Sequence, residues 1–379
     1  MPLNVAVLAH IRHPIAQPFR GGMEAHTALL CDGLRAKGHD VVLFAANGSD
    51  DPHLCQISAE PYESVLPWEH HRGSDRLARY QLTAFRNAFE TIERGGFDVV
   101  HANMLFPQWL AWMVNARIPC VFSQHVPPFG AMREAVQAVG HSHWIQHTVT
   151  SRHQLSIWRE QCDGPVPNMQ VVHNGVNTAF WRFDEKGGER LVWTGRITPN
   201  KGVHLAIEAA RRASAKLDIF GPVEDRTYFQ QKVRPLLGGD IEFHGHADAE
   251  TLRQAVGGAR AILSTPMWDE PFGLGAAEAL SCGTPVISFD RGALREVVGD
   301  CGIIVPPRDV REMADAITTI GSIDRAVCRR RAVEQLSVET MIAGYEARYD
   351  AAISGAAFSA SKPSAARSSS HSRITELLA

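Results

Sequence analysis

The sequence predicts an α/β protein with two domains, each built on a doubly wound parallel sheet. Short apolar runs rich in β-branched residues recur in both halves of the 379-residue chain, and helical patterns separate them. Strands of a parallel sheet have this character because helices cover both faces of the sheet. The chain length also favours two domains.

The first half, residues 1–180, contains six strand candidates and the helices that would connect them. The strands are predicted at 4–9, 40–45, 98–102, 119–123, 147–150 and 170–173, and the clearest helices at 22–37, 75–94 and 152–161. We therefore expect this half to form a first Rossmann-like domain.

The second half repeats the scheme over residues 190–337. Its strands are predicted at 191–194, 216–220, 241–244, 261–264, 285–289 and 303–305. The polar, glycine-bearing stretch 181–189 is the expected joint between the domains. Residues 354–379 are rich in Ser and Ala with little large apolar content, so this tail is predicted to be disordered.

The composition is that of an ordinary soluble enzyme. A formal net charge of -3 gives no reason to expect a nucleic-acid partner. The seven cysteines lack a Cys-x-x-Cys pair, which favours reduced thiols in the cytoplasm over disulfides or a zinc site. The apolar run at the N-terminus is too short for a signal peptide, and no stretch approaches the roughly 18 apolar residues that span a bilayer. We expect a cytoplasmic protein.

The most informative stretch is Glu270-Pro-Phe-Gly-Leu-Gly-Ala-Ala-Glu278. Pro271 ends the preceding extended segment, and a helical run begins near Gly273. The first N–H groups of that helix, with the positive end of its dipole, favour phosphate oxygens. Glu270 and Glu278 can then accept hydrogen bonds from hydroxyls on either side of a diphosphate, which is the layout of a nucleotide sugar. The alternative is a surface loop acid followed by an acid that the helix dipole favours.

Two cations flank another turn in the second half. Arg196 and Lys201 lie between the strand 191–194 and the helical pattern 203–213, and Pro199 keeps the loop between them non-helical. Fixed cations stabilise the negative charge that grows on a diphosphate leaving group as a glycosidic bond breaks. Solvated surface cations are the alternative interpretation of each residue alone.

The second half resembles the family 4 retaining glycosyltransferases. The motifs that carry the resemblance are Gly195-Arg196, Lys201-Gly202, Glu270 to Glu278 and Cys282-Gly-Thr-Pro-Val286. The segments 220–228 and 266–270 are similar to the subgroup that contains the avilamycin-type glycosyltransferase. The resemblance implies an α/β protein of the GT-B fold, in which two Rossmann-like domains face each other across a cleft. It also implies that a last helix, here 338–353, crosses back onto the first domain.

The resemblance further implies how the donor is held. Arg196 and Lys201 would bind the diphosphate, Glu278 the ribose, and Glu270 the sugar hydroxyls. The amides of Phe272, Gly273 and Leu274 would meet the sugar or the phosphate. The acceptor would attack the front face of the sugar, with the leaving phosphate oxygen taking its proton. No cofactor is expected, and since no Asp-x-Asp triplet occurs, a bridging metal ion is not indicated.

The first half offers further candidates near its strand ends. Gly21-Gly22 opens the helix 22–37, and the resemblance implies that this turn lies beside the donor diphosphate or the acceptor. His125 follows a strand and matches the family histidine near the reacting sugar, to which a neutral imidazole could donate one hydrogen bond. His101 also ends a strand, and Asn103 stands where the family often has a second histidine. For Gly22 and His125, an ordinary turn and a structural histidine are the alternatives.

The alternatives to a hexosyltransferase belong to other functional classes. A dehydrogenase is rejected because Glu278 takes the place of the third glycine of the dinucleotide-binding pattern. Metal binding by His141 with His143, or by His244 with His246, lacks a supporting cluster. A nucleotide-sugar epimerase or hydrolase on the same fold remains open. A non-catalytic sugar-binding protein is disfavoured because the Arg196 and Lys201 pair suits leaving-group stabilisation.

The partners are predicted only in part. A UDP-sugar is the favoured donor by family frequency, with GDP-mannose as the alternative. The acceptor is a saccharide, a lipid-linked glycan or a small molecule, and its site is expected in segments 56–76 and 129–143. Four arginines of the helix 75–94 could touch an anionic membrane weakly, but neighbouring acids balance them and favour a solvated face.

Overall fold

The computed structural model describes residues 1–361 and divides the chain into two compact units. Unit 1 takes in Met1–Val172 and the chain from Met341 onward, and unit 2 is His173–Thr340. Each unit is a parallel sheet covered by helices on both faces, as the buried apolar runs predict.

Unit 1 contains a seven-stranded sheet in the order β3-β2-β1-β4-β5-β6-β7. Its strands are β1 (Asn4–Ala9), β2 (Asp40–Ala46), β3 (Leu54–Ser58), β4 (Val99–Asn103), β5 (Cys120–Gln124), β6 (Ile145–Val149) and β7 (Met169–Val171). Its first seven helices are α1 (Gly22–Ala36), α2 (Tyr62–Val65), α3 (Trp68–His71), α4 (Asp75–Gly95), α5 (Gln108–Ala116), α6 (Gly130–Ala138) and α7 (Arg152–Gln161).

Unit 2 contains a six-stranded sheet in the order β10-β9-β8-β11-β12-β13. Its strands are β8 (Leu191–Thr194), β9 (Leu217–Phe220), β10 (Ile241–Gly245), β11 (Ala261–Ser264), β12 (Val286–Phe289) and β13 (Gly302–Val305). Its helices are α8 (Val203–Arg212), α9 (Arg226–Tyr228), α10 (Ala249–Gly257), α11 (Leu274–Ser281), α12 (Leu294–Val298), α13 (Val310–Thr319) and α14 (Arg325–Gln335). The long helix α15 (Val338–Ser361) follows, and from Met341 onward it belongs to unit 1.

Both sheets reverse their strand order at one point, and this reversal positions the candidate sites. In unit 1 the reversal lies between β1 and β4, where Val5 pairs with Val99. In unit 2 it lies between β8 and β11, where Leu191 pairs with Ala261. The loops that leave these neighbouring strands diverge to opposite faces, so ligands of doubly wound sheets bind at such points.

The structure differs from the sequence-based expectations at three places. Strand β3 is not predicted from the sequence, because it is an edge strand whose first three residues are half-buried or exposed, which leaves a weak apolar pattern. The boundary falls after Val172 rather than near 180, because Val176 pairs with Ser337 and Trp181 packs into the core of unit 2.

The third difference is the predicted disordered tail. Helix α15 continues to Ser361, so the prediction of disorder is wrong for residues 354–361. The run of Ser and Ala still suits a helix because Ala is the best helix former. Residues 362–379 lie outside the described residues. No helix within residues 1–361 combines the length and the apolar composition needed to cross a bilayer.

Candidate functional site

The two motifs of the second half meet at the reversal point of unit 2. The loop after β8 carries Arg196 and ends in a single 3-10 turn, Pro199–Lys201, and the loop after β11 carries Glu270. Since β8 and β11 are hydrogen-bonded neighbours, both loops leave the same edge of the sheet.

Two hydrogen bonds to backbone carbonyls hold the two loops together. The Met267 N–H donates to the Asn200 carbonyl at 2.8 Å, and the Thr265 hydroxyl donates to the Lys201 carbonyl at 3.0 Å. Gly202 has φ +65°, and a Cβ there would lie 2.3 Å from the Thr265 carbonyl oxygen. Only glycine allows this close approach, which fixes where the Lys201 side chain begins.

Lys201 and Glu270 form an ion pair between these loops. The Trp268 indole Nε1–H donates to the same Glu270 oxygen, Oε1, at 2.9 Å. The Lys201 ammonium also lies 5.5 Å from the centre of the Trp268 ring, within cation–π range. The Glu270 side chain is only 12% exposed, so the three groups form one compact, charge-compensated cluster.

Helix α11 begins beside this cluster. Its N-cap, Gly273, has φ +98° and offers no side chain to the first N–H groups of the helix. A Cβ on Gly273 would lie 2.6 Å from Leu294 Cδ2, so this turn is crowded as well as left-handed. Phe272 is buried in the core of unit 2, while Leu274 is half-buried. The free N–H groups and the dipole make the helix start suitable for an anion.

Glu278 lies one turn into α11 and is only partly exposed. Burial raises the pKa of its carboxyl from 4.5 to about 7. A carboxyl in this position is about half protonated at neutral pH. Folding removes water from this carboxyl group. A ligand that donates hydrogen bonds would replace that water and stabilise the charged form.

Arg196 occupies a different environment from Lys201. Its guanidinium pairs with Glu224 Oε2 at 3.1 Å, and both side chains are more than two-fifths exposed. Within the described residues, the structure brings together Lys201 and Glu270, whereas Arg196 lies on the surface and pairs with Glu224. Its predicted role therefore requires the guanidinium to leave Glu224 for the ligand.

Unit 1 gathers polar side chains at its own reversal point. His10 follows β1, Asn103 ends β4 and His125 follows β5. His125 Nε2 lies 3.1 Å from Asn103 Oδ1, and its ring centre lies 4.4 Å from that of His26 on α1. Gly22 opens α1 after the extended N-cap Gly21, so the predicted turn is present in the fold.

His101 belongs to a deeper network. Its Nδ1 lies 2.6 Å from the Tyr349 hydroxyl of α15, and its Nε2 lies 2.8 Å from Ser123 Oγ. The residue is completely buried, and burial lowers the pKa of His101 to about 3. His101 therefore ties α15 to the sheet of unit 1, which supports a structural role.

Several residues of these clusters cannot be predicted from the sequence. Trp268 stands inside a quoted motif, but nothing in the sequence shows that its indole reaches Glu270. His26 and Thr27 lie on the buried face of α1, where their spacing resembles that of core residues. The roles of these residues depend on contacts with distant parts of the chain, which local sequence patterns do not show.

The structure places two carboxylates beside His244, so the expectation that this histidine lacks a supporting cluster is wrong. Within residues 1–361, Asp218, Glu242 and His244 bring three potential ligand atoms within 4.8 Å of one another. Arg190 forms ion pairs with Asp218 at 2.6 Å and with Glu242 at 3.0 Å. Arg190 thus compensates one of the two carboxylate charges, and His246 is not part of the group.

Two family models match the chain. The model described as "Glycosyl transferases group 1" matches residues 188–322, and the model described as "Glycosyltransferase Family 4" matches residues 20–180. Together they span most of both units. The chain therefore belongs to the group 1 and family 4 glycosyltransferases, and it is an enzyme of that class.

Curated relatives agree with this assignment. A glycogen synthase of Mycobacterium tuberculosis is 29% identical over 361 residues, covering 82% of this chain and 85% of the relative. A D-inositol 3-phosphate glycosyltransferase of Mycobacteroides abscessus is 27% identical, covering 88% of this chain and 85% of the relative. These relatives are transferases and do not favour the epimerase or hydrolase alternative.

Solved structures confirm the predicted fold class, GT-B. AviGT4, a glycosyltransferase of avilamycin A biosynthesis, matches with a TM-score of 0.67 and 22% identity, covering 93% of this chain and 99% of that chain. HepE of Anabaena in complex with UDP matches with a TM-score of 0.69 and 18% identity, covering 92% of this chain and all of that one.

Proposed function

We propose that this glycosyltransferase moves a hexose from a nucleotide diphosphate sugar to a hydroxyl of an acceptor, with retention of the anomeric configuration. A UDP-sugar is the favoured donor, with GDP-mannose as the alternative. The contact between Lys201 and Glu270 beside the start of α11 carries the proposal. It gathers a cation, free N–H groups and a carboxylate at one edge of the sheet.

The charges in unit 2 suit a diphosphate followed by a sugar. Lys201 and the N-terminus of α11 supply positive charge for the phosphates, and Arg196 adds a planar fork from the loop surface. Glu270 Oε1 is held by Trp268, so its other oxygen, Oε2, is assigned to the sugar hydroxyls. Glu278 accepts hydrogen bonds from the ribose. The complex of HepE with UDP-glucose, a protein of the same fold, supports this class of donor.

The ion pair with Glu270 has a consequence for catalysis. In the free protein Lys201 is already compensated, so binding of a diphosphate transfers the cation from a carboxylate to the phosphates. Glu270 is thereby released toward the sugar. A cation placed on the leaving group stabilises the transition state more than the ground state, because negative charge grows there as the bond to the sugar breaks.

The transfer step needs no nucleophile from the protein. The acceptor oxygen forms a bond to the anomeric carbon on the face from which the phosphate departs, and the bond between that carbon and the phosphate oxygen breaks. The acceptor proton passes to the departing phosphate oxygen. His125 is assigned to a sugar hydroxyl, of the donor or of the acceptor. No metal ion is assigned a role, because Lys201, Arg196 and α11 compensate the diphosphate charge.

The proposal is tested by incubating the enzyme with a panel of UDP- and GDP-hexoses and measuring the nucleoside diphosphate released, with and without candidate acceptors. Replacing Lys201 by Met is expected to lower turnover about 100-fold, the usual loss for one group that stabilises developing charge. Lys216→Met is the matched control, because Lys216 also pairs with a glutamate but lies before β9.

The anomeric configuration of the product is read by proton NMR. Retention supports the proposed step, and inversion contradicts it. Equal turnover by the wild type and Lys201→Met would remove Lys201 from the reaction. Failure of every nucleotide sugar in the panel to be consumed would contradict the proposed donor class.

A further inference from the structure

A buried amide is hydrogen-bonded both to His125 and to helix α1. Asn103 ends β4 and is completely buried, as is Thr27 on α1 apart from 1% of its surface. Asn103 Nδ2 lies 3.3 Å from Thr27 Oγ1, and Asn103 Oδ1 lies 3.1 Å from His125 Nε2. One side chain thus bridges a hydroxyl and an imidazole.

The Thr27 hydroxyl fixes the orientation of this amide. Its single hydrogen is donated to the Met23 carbonyl at 2.8 Å, one helical turn earlier. Toward Asn103 it can therefore act only as an acceptor, and only the amide nitrogen can donate to it. The amide oxygen must then face His125, so the reverse orientation would place two acceptors against each other.

We infer that Asn103 is a positioning residue that holds His125 as the Nε2–H tautomer and leaves Nδ1 as a hydrogen-bond acceptor. A carbonyl oxygen has no hydrogen to give, so His125 Nε2 must donate to Asn103. A neutral ring has only one N–H group, and this one is already donated to Asn103. The free ring nitrogen selects a hydroxyl that donates, which corrects the expectation that His125 donates to the sugar.

The surroundings keep the ring neutral. Burial, and next the neighbouring His10, lower the pKa of His125 to about 4. Burial, then His125 and His101, hold the pKa of His26 well below its usual range. These imidazoles pack close enough that a charge on one opposes a charge on another. Near neutral pH the tautomer, rather than the charge, therefore decides what His125 can bind.

The ligand of His125 Nδ1 is identified only by its chemistry. A hydroxyl that points its hydrogen at His125 Nδ1 fits a sugar of the donor or of the acceptor, and this identification rests on the proposed function. The tautomer itself does not, because it follows from Met23, Thr27 and Asn103 alone.

The tautomer is measured by two-bond ¹H–¹⁵N correlation NMR of the full-length protein. A His125→Gln variant identifies the His125 signals among those of 18 histidines. In the wild type we expect a protonated Nε2 and a non-protonated Nδ1 near neutral pH. Asn103→Leu should release this preference and give both tautomers, and Thr27→Val should do the same by freeing the amide to reverse.

The control is Thr148→Val. Thr148 is equally buried and hydrogen-bonds Ser123 at 2.9 Å in the neighbouring network, so the same substitution there should leave the His125 tautomer unchanged. Asn103→Asp keeps an acceptor against Nε2–H and adds a negative charge, so it should retain the tautomer and raise the pKa of His125. A role limited to packing would not produce this pattern.

Turnover provides the second readout. Asn103→Leu should lower kcat/KM about five- to tenfold, the size of one hydrogen bond, and Asn103→Asp should recover part of the loss with a shifted pH profile. An Nδ1–H tautomer in the wild type, or an unchanged tautomer in Asn103→Leu, would overturn the inference. If the NMR pattern holds while no nucleotide sugar is consumed, the proposed function fails and the tautomer assignment stands.

Discussion

Replacing Glu278 by Gln should make the free protein more stable above neutral pH while weakening donor binding. The pKa of Glu278 is raised from 4.5 to about 7, so the native state keeps a proton that the unfolded state loses between these pH values. The wild type therefore loses stability as pH rises through this window. A glutamine carries no charge and escapes this loss.

The size of the effect follows from the two pKa values. The linkage relation gives about 2.5 kcal/mol between pH 5 and pH 8, an upper value because Glu278 keeps partial contact with solvent. The stability advantage of Glu278→Gln over the wild type should therefore grow by about 1–2.5 kcal/mol over this range. Urea unfolding at both pH values measures it, with Glu208→Gln on the exposed surface of α8 as control.

Donor binding should depend on pH in the opposite direction from stability, because the affinity of the wild type rises with pH. Ribose hydroxyls donate to a carboxylate, so wild-type affinity for a nucleotide sugar should rise about tenfold from pH 6 to pH 8 as Glu278 ionises. The phosphates of a nucleotide sugar are diesters and do not titrate in this range. Calorimetry should show a weaker, pH-independent affinity for Glu278→Gln. A stability difference that stays constant with pH, or a variant that binds as tightly as the wild type, would refute this reasoning.

Two further substitutions test the role of Arg196 in donor binding and the role of Gly273 in stability. Arg196→Ala should leave the free energy of unfolding within about 1 kcal/mol because its ion pair is exposed, yet raise the donor KM about tenfold. An unchanged KM would remove Arg196 from the donor site. Gly273→Ala should destabilise the protein by about 1–3 kcal/mol, since φ is +98° and Leu294 lies 2.6 Å from the added Cβ. Gly238 has φ +106° but open space around it, so Gly238→Ala measures the cost of backbone strain alone. Equal losses of stability in both variants would exclude a contribution from crowding at α11.

The sequence predicted the elements that local pattern controls. Buried parallel strands such as β1 and β8 are short apolar runs, and their bounds agree with the structure to the residue. The motifs around Lys201 and Glu270 predicted that two loops converge, and the ion pair between them is present. Edge strand β3 escaped detection because an edge strand needs fewer apolar residues.

The chemistry of individual groups could not be predicted from local pattern. The pKa of Glu278 depends on how deeply α11 packs, and the role of Trp268 depends on a loop conformation that Gly202 permits. The role of Asn103 also cannot be predicted from local pattern, because it depends on contacts among a helix and two strands that meet only in the folded unit.

The central claim is that unit 2 holds a diphosphate between the Lys201 loop and the start of α11. A crystal structure of the enzyme with a bound nucleotide sugar tests it most directly. We predict phosphate oxygens within about 3 Å of Lys201 Nζ and of the first N–H groups of α11, with the ribose hydroxyls on Glu278. A nucleotide bound elsewhere, with Lys201 still paired to Glu270, would contradict the account.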